Sequence, residues 1–448
     1  MISKFAGIVN QFRNNSVIKY GFANLFPRSI AILTAVVFTP IAIKQLGVND
    51  YGLWSLAILI PNLVSSPDLG ITYGIVNEMS RVFREEGNLR SQRERLLRLC
   101  QLLAVISFGW LLLGTVGLIW YSFGANRTSN MPSSYEFSVL LLGLLVFILG
   151  IPASLWGRVQ LAQERGHEYF RWEGIGKTIG FIGSLVILIT MPNVYVLIIV
   201  FLLPSVLTAY LNARYYIIEQ LGSLSMPSWN LRKSIIENRA VFASGKYFLA
   251  FQITFLIGTA IDPFIVNALL STKDVAYLSI ARRPFDALPL AVTLFSTALW
   301  PVFFKLNSED RVIEIKSLLL RILAGSCGLI CILSVLIIGF SEPIYRYLSQ
   351  GKMIFSKADL IWISLQMISY TAILIFNNYA NAVDLLKSQM WIQIVAAGVG
   401  VFAKVLALKY GGLSLYFFVS SAVYAVFALA PMAWLTFGHI RHRTHHAI

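Results

Sequence analysis

The chain has 448 residues, of which 57% are hydrophobic and only 13% charged, with a formal net charge of +15 and a mean hydropathy of +0.71. A soluble fold carries about 25% charged residues, so a water-soluble globular protein is excluded. Nucleic-acid binding is also disfavoured, because the basic residues fall between apolar runs and do not gather on one soluble face.

Taken in chain order, Ile2, Phe5, Val9 and Phe12 recur at helical spacing among Lys4, Arg13 and Lys19. This predicts an amphipathic helix lying in the membrane surface over residues 1–20. Apolar windows long enough to cross a bilayer follow at 21–43, 52–76, 97–122, 137–160, 175–191 and 194–214. A second set falls at 243–268, 275–304, 317–340, 358–382, 389–409 and 413–437. Met191-Pro192-Asn193 separates the fifth window from the sixth. Twelve spans put both termini on one side, and that side, with the adjoining span ends counted, holds 25 Lys and Arg against 8 on the other. The richest patch runs Arg81, Arg84, Arg90, Arg93, Arg95 and Arg98. The positive-inside rule then makes both termini cytoplasmic.

The expected division is a surface segment 1–20, a six-helix lobe 21–214, a cytoplasmic linker 215–242, a second six-helix lobe 243–437 and a basic cytoplasmic tail 438–448. An internal echo supports the cut. Residues 46–57 and 270–281 share Leu, Asp, Ser and Ala at matching places, offset by 224 residues, half the chain. The fold class expected is an all-α polytopic membrane protein, with about 12 transmembrane helices in two six-helix lobes related by pseudo-two-fold symmetry. Parallel halves of this kind usually enclose a central substrate cavity.

Charges inside the spans mark where function should sit, since each is costly unless paired or wetted. Arg28 lies about two turns into span one. Asp68, in Ser65-Ser66-Pro67-Asp68-Leu69-Gly70, sits at a helix break. Lys246 enters span seven, Asp262-Pro263 interrupts it, and span eight carries Arg282, Arg283 and Asp286. Guanidinium forks suit phosphate oxygens, so Arg28, Arg282 and Arg283, with Lys246 as a weaker member, form the expected anion-binding set. Asp68, Asp262 and Asp286 are the expected ion-coupling set, for a proton or a sodium ion. Local alternatives stand beside these readings: Arg283 and Asp286 are spaced to pair on one helix, and Lys246 is placed to snorkel.

Other motifs carry less. Gly174-Ile175-Gly176-Lys177-Thr178 ends like a phosphate loop, but the first glycine that loop requires would fall on Arg171. Gly176, Gly180 and Ser184 read better as a small-residue stripe for close helix packing. Cys100, Cys327 and Cys331 read as core residues, and no cofactor or metal is expected. His439, His442, His445 and His446 read as a solvated end. No nucleophile–base arrangement stands out, so a non-enzyme is expected.

Asn24 to Arg28, Pro40, Leu46-Gly47, Tyr51-Gly52-Leu53-Trp54 and Asp68-Leu69-Gly70 together resemble the Wzx-type polysaccharide flippases of the multidrug/oligosaccharidyl-lipid/polysaccharide exporter superfamily. Tyr277-Leu278-Ser279-Ile280-Ala281-Arg282-Arg283 fits the same family. The resemblance is distinct over the first two spans and otherwise rests on topology. It implies a bacterial inner-membrane flippase for undecaprenyl-diphosphate-linked oligosaccharide repeat units, serving O-antigen, capsule or exopolysaccharide assembly by alternating access through a cationic cavity. In it Arg28, Arg282 and Arg283 would meet the pyrophosphate or acidic sugars. Implied partners are the lipid-linked substrate, membrane lipids, a proton or sodium counter-ion, a polysaccharide polymerase and a chain-length regulator. The competing readings are an exporter of drugs or other lipid-linked substrates in the same superfamily, which for cationic drugs would want an acidic cavity, and a membrane sugar-chain polymerase.

Overall fold

A computed structural model describes residues 16–63, 89–123, 133–163, 165–222, 228–239, 250–289, 292, 299, 302–304 and 306–446. Among them every regular element is helical. Nine described helices are long and apolar enough to cross a membrane. The last of these, Leu386–Thr444, is 59 residues long, against about 20 for one crossing, and holds the two final expected spans. The windows at 52–76 and 275–304 begin in described helices and run on into residues mostly outside the described set. The first fifteen residues, Asp68 and Lys246 lie outside it altogether. The chain is thus a multi-pass, all-α membrane protein, and its described residues form two compact units, one up to Gln252 and one from Ile253.

In the N-terminal unit, α1 (Ser16–Leu33) passes through a π-turn, Thr34–Phe38, into α2 (Thr39–Leu46). Pro40 has no N–H to donate, and the turn before it widens so that Thr39 N–H reaches back five residues to Thr34 O. Gly47, at φ 85°, then turns the chain into α3 (Val48–Leu63), a conformation that costs glycine little. Trp54 is fully buried, 4.6 Å from the Phe38 ring and edge-on to Phe201 at 5.5 Å. Tyr51, Leu53 and Ala57 are buried beside it. The Tyr-Gly-Leu-Trp signature therefore builds the core of this unit.

The rest of the unit is α4 (Leu89–Phe123), α5 (Ser133–Ala162), α6 (Gly166–Thr190) and α7 (Val194–Tyr216). Asn193 caps α7, its Oδ1 accepting from the N–H groups of Tyr195 and Val196 at 2.9 and 3.3 Å. The Gly174–Thr178 run lies inside α6 as helix, so it makes no phosphate loop. Its glycines let α7 approach. A Cβ on Gly180 would stand 2.5 Å from the Phe201 carbonyl oxygen, and one on Gly176 would stand 2.7 Å from Ser205 Cα. Backbone cannot yield as a side chain can, so Gly180→Val should cost about 1–3 kcal/mol, read as a lowered unfolding midpoint in detergent. Gly117→Ala, with nothing within 4 Å, should leave that midpoint unchanged or raise it slightly.

The segment expected as a linker has its own structure. The helix of α7 continues as a π-turn, Ile217–Leu221, before Gly222 at φ 73° ends it. A short helix, α8 (Leu231–Glu237), then docks on α4. Arg98, only 3% exposed, pairs with Glu94 and donates to Ser228 O at 3.2 Å, and Arg95 Nε donates to Asn238 Oδ1 at 3.3 Å. Lys233 lies 3.6 Å from Glu94. Part of the arginine patch thus fastens residues 228–239 to α4.

The C-terminal unit opens with a π-turn, Leu256–Ala260, followed by α9 (Asp262–Leu269) and α10 (Thr272–Asp286). Then come α11 (Val312–Gly339), α12 (Ser341–Ser349), α13 (Lys357–Ala382), α14 (Leu386–Val423), the π-turn Tyr424–Leu429 and α15 (Ala430–His446). Helix α13 is the centre of the unit, where Ile375, Phe376 and Tyr379 pack with Phe303, Leu319 and Met432. On α11, Ile332, Val335 and Leu336 are exposed, as acyl-chain contact requires. The end read as a solvated tail is helical as far as His446: His439 Nδ1 lies 2.8 Å from Tyr379 Oη, and Arg443 binds Asn307 and Asp310.

The two echo segments begin helices in the same manner. Asp50 stands in the first turn of α3 and Asp274 in that of α10, complementing the N-terminal dipoles. Ala57 and Ala281 are both fully buried. Each unit also places a π-turn before a helix with proline at its start, Pro40 in one and Pro263 in the other.

Candidate functional site

Among the described residues, the C-terminal unit buries an ion pair between two of its spans and sets a second pair beside it. Asp262 is the first residue of α9, and Pro263 behind it again lacks an N–H. The preceding π-turn closes with Ile261 N–H donating to Leu256 O at 3.0 Å, five residues back. Asp262 is 1% exposed, and its charge is met from α14. Lys404 Nζ donates to Asp262 Oδ2 at 2.8 Å and to Gly258 O at 2.6 Å. Tyr416 Oη donates to the same Oδ2 at 2.7 Å. Between Lys404 and Tyr416, Gly412 takes φ 66°, ψ −156°, outside helical geometry. The break lets two arms of α14 converge on one carboxylate.

Beside this triad lie two adjoining chambers of about 260 and about 200 Å³. Phe255, Thr259, Tyr370 and Tyr424 border both. The Thr259 and Tyr424 hydroxyls are 2.6 Å apart. Arg282, Asp286 and Gln366 complete the larger chamber, while Lys404, Asn377 and Gln393 face the smaller one. The Arg282 side chain is 17% exposed and reaches Asp286, which is 51% exposed, at 3.4 Å. Asp286 and, at longer range, Asp262 are the carboxylates whose fields act on Arg282.

Several expectations change here. The local partner of Asp286 is Arg282, at i,i+4, and not Arg283. Arg283 is one residue further on, about 100° round the helix, and does not border either chamber. Arg282 stands with Asp286 at the larger chamber, and Lys404, at the smaller one, is paired with Asp262, so both cations have a carboxylate partner. The reason is energetic, since a buried charge without a counter-charge is far costlier than a pair. Lys404 was not among the expected site residues. Its only sign in the sequence is a lysine in the middle of the apolar run Gly400-Val401-Phe402-Ala403-Lys404-Val405-Leu406, and such a residue is as easily read as reaching a membrane interface.

Arg28 belongs to the N-terminal unit and is half-buried on α1. Its Nε donates to Asn24 Oδ1 at 3.2 Å, and Glu173 on α6 is the carboxylate that acts on it. Glu173 also accepts from Lys177 at 2.6 Å. Arg28 is therefore one member of a mixed-charge group. Among the described residues no cluster of His, Cys, Asp and Glu has the makings of a metal site.

No protein-family model matches the chain, and no curated protein matches it in sequence. Solved structures do match in fold. An inward-facing multidrug resistance MATE family transporter of the MOP superfamily aligns with a TM-score of 0.71 at 12% identity, covering 94% of this chain and 99% of its own. The lipid II flippase MurJ, in an inward closed conformation, aligns at 0.70 and 16% identity, covering 93% of this chain and 87% of its own. A Vibrio cholerae MATE transporter, VcmN, aligns at 0.62 and 15%, covering 95% and 96%. The chain shares the fold of MOP-superfamily transporters over almost its whole length.

Proposed function

We propose that this membrane protein is a flippase that carries an undecaprenyl-diphosphate-linked oligosaccharide across a bacterial cytoplasmic membrane, with both termini on the cytoplasmic side, for O-antigen, capsule or exopolysaccharide assembly. It acts as a carrier and not as an enzyme. The observation that supports this most is the setting of Arg282: a guanidinium at the edge of a partly enclosed, hydroxyl-lined chamber, held among the described residues by a long contact to a half-exposed carboxylate. A diphosphate is a better partner than Asp286, because it offers more oxygens and accepts both forks of the guanidinium. Ligand entry then displaces Asp286, which becomes free to take a proton or sodium ion. Chambers of this size suit the diphosphate alone, leaving the glycan and the lipid tail outside them. Presenting this chamber alternately to the two faces of the membrane completes the cycle. Arg28, Arg283 and Lys246 are proposed as further contacts for the anionic carrier, and Asp68 as a second ion-coupling group. A polymerase and a chain-length regulator are the proposed partners downstream. One of the fold neighbours, the lipid II flippase, lends this reading a chemical parallel.

A second reading, export of cationic drugs, draws support from the same chamber, where Asp286 is exposed beside the rings of Phe255, Tyr370 and Tyr424. Two substitutions separate the readings. In native mass spectrometry of the purified protein with undecaprenyl diphosphate, Asp286→Asn should keep or strengthen binding, and Arg282→Gln should weaken it. The drug reading requires the opposite order for a lipophilic cation such as ethidium, with Asp286→Asn losing binding.

A further inference from the structure

We infer that Lys404 is a tethered counter-ion standing where an inorganic monovalent cation would otherwise sit, so that Asp262 is closed to sodium and potassium in the native protein and becomes a cation site once the lysine is shortened. The inference holds whether or not the substrate is a lipid-linked glycan. Its basis is the set of oxygens around the ammonium. Nζ meets a carboxylate oxygen at 2.8 Å and a backbone carbonyl at 2.6 Å, and Tyr416 Oη abuts the same carboxylate oxygen. Carboxylate, carbonyl and hydroxyl oxygens are what a dehydrated alkali cation asks for. The carbonyl is available because Gly258 lies in the π-turn, where the regular ladder is interrupted.

The second carboxylate oxygen points the same way. Asp262 Oδ1 is buried and accepts no hydrogen bond among the described residues, so the carboxylate keeps unused capacity for a positive ligand. Access is also present, since Gly258, Thr259 and Lys404 all border the smaller chamber. Cutting the lysine back to alanine opens the place of its ammonium to that chamber. What remains is a deeply buried negative charge, 1% exposed, which is relieved by taking up a cation or a proton from solution.

The test uses the purified full-length protein in detergent, with tryptophan fluorescence following thermal unfolding in NaCl, KCl or choline chloride at equal ionic strength. The wild type should unfold at the same temperature in all three. Lys404→Ala should unfold about 2–4 °C higher in NaCl or KCl than in choline chloride, and Asp262→Asn added to it should abolish that difference. If Lys404→Ala does not fold, Lys404→Gln takes its place in the same comparison. A sodium-specific rise in the wild type that Asp262→Asn removes would overturn the inference, as would a folded lysine variant indifferent to all three salts. Neither outcome bears on diphosphate binding at Arg282, which is measured separately.

Discussion

Lys404→Met is expected to destabilise the protein by about 3–5 kcal/mol, because it leaves the Asp262 charge buried without its partner. Both side chains are 1% exposed, so neither charge is hydrated while the stem at position 404 fills the space beside Asp262. The methionine keeps the length and apolar bulk of the lysine stem, which confines the change to the charge. Asp262→Asn should be costly for the converse reason, stranding the ammonium against Gly258 O and a neutral amide. The double variant Asp262→Asn/Lys404→Met should recover much of the loss, since neither charge then remains buried alone. The coupling between the two sites, read from a double-mutant cycle of unfolding free energies, should reach at least about 1–3 kcal/mol. Additive single effects would show that the pair does not act as a unit.

The second large effect is expected at Arg282. A hydrogen bond to a charged group contributes about 1.5–3 kcal/mol, so Arg282→Gln should weaken undecaprenyl diphosphate binding by roughly 10–100-fold. Arg282→Lys should recover part of it, supplying charge without the planar fork. Folding should be little disturbed by comparison, because the Asp286 carboxylate left behind is half exposed and hydrated. The check is a pair of measurements on one preparation: diphosphate affinity, and the unfolding midpoint. A fall in the midpoint that accounts for the lost affinity would assign Arg282 a structural duty instead.

Much of the architecture was legible in the residues because the bilayer simplifies the physics. With no water to satisfy the backbone, an apolar run of sufficient length has one outcome, and helices such as Val312–Gly339 and Lys357–Ala382 lie where composition places them. Local chemistry was legible too: the Gly176 and Gly180 positions mark the close approach of α7. The site was read less well, and for a definite reason. Asp262 could be singled out as an intramembrane carboxylate, but its partner is 142 residues away in sequence, and no local spacing encodes that meeting. Pairing of Arg282 with Asp286 was within reach of the i,i+4 rule, yet the neighbouring Arg283–Asp286 spacing fits the i,i+3 rule equally well. Tyr51 and Trp54, which carry part of the family resemblance, owe their place to packing, since both are wholly buried, Trp54 against Phe38 and Tyr51 against Trp54.

The π-turn at Leu256–Ala260 has one more effect, on register. It holds one residue more than a regular turn, so a helical wheel drawn unbroken through Ala250–Leu269 sets one end about 100° out of phase with the other. A stripe traced from Thr254, eight residues before Asp262, is therefore about 80° off it on paper and about 20° off once the extra residue is subtracted, and in the folded chain Thr254 borders the smaller chamber. Rules of tolerance worked out on one side of this turn, such as which positions accept a polar side chain, do not transfer to the other without subtracting that residue. The same correction applies around Thr34–Phe38, which lies in the first span of the chain.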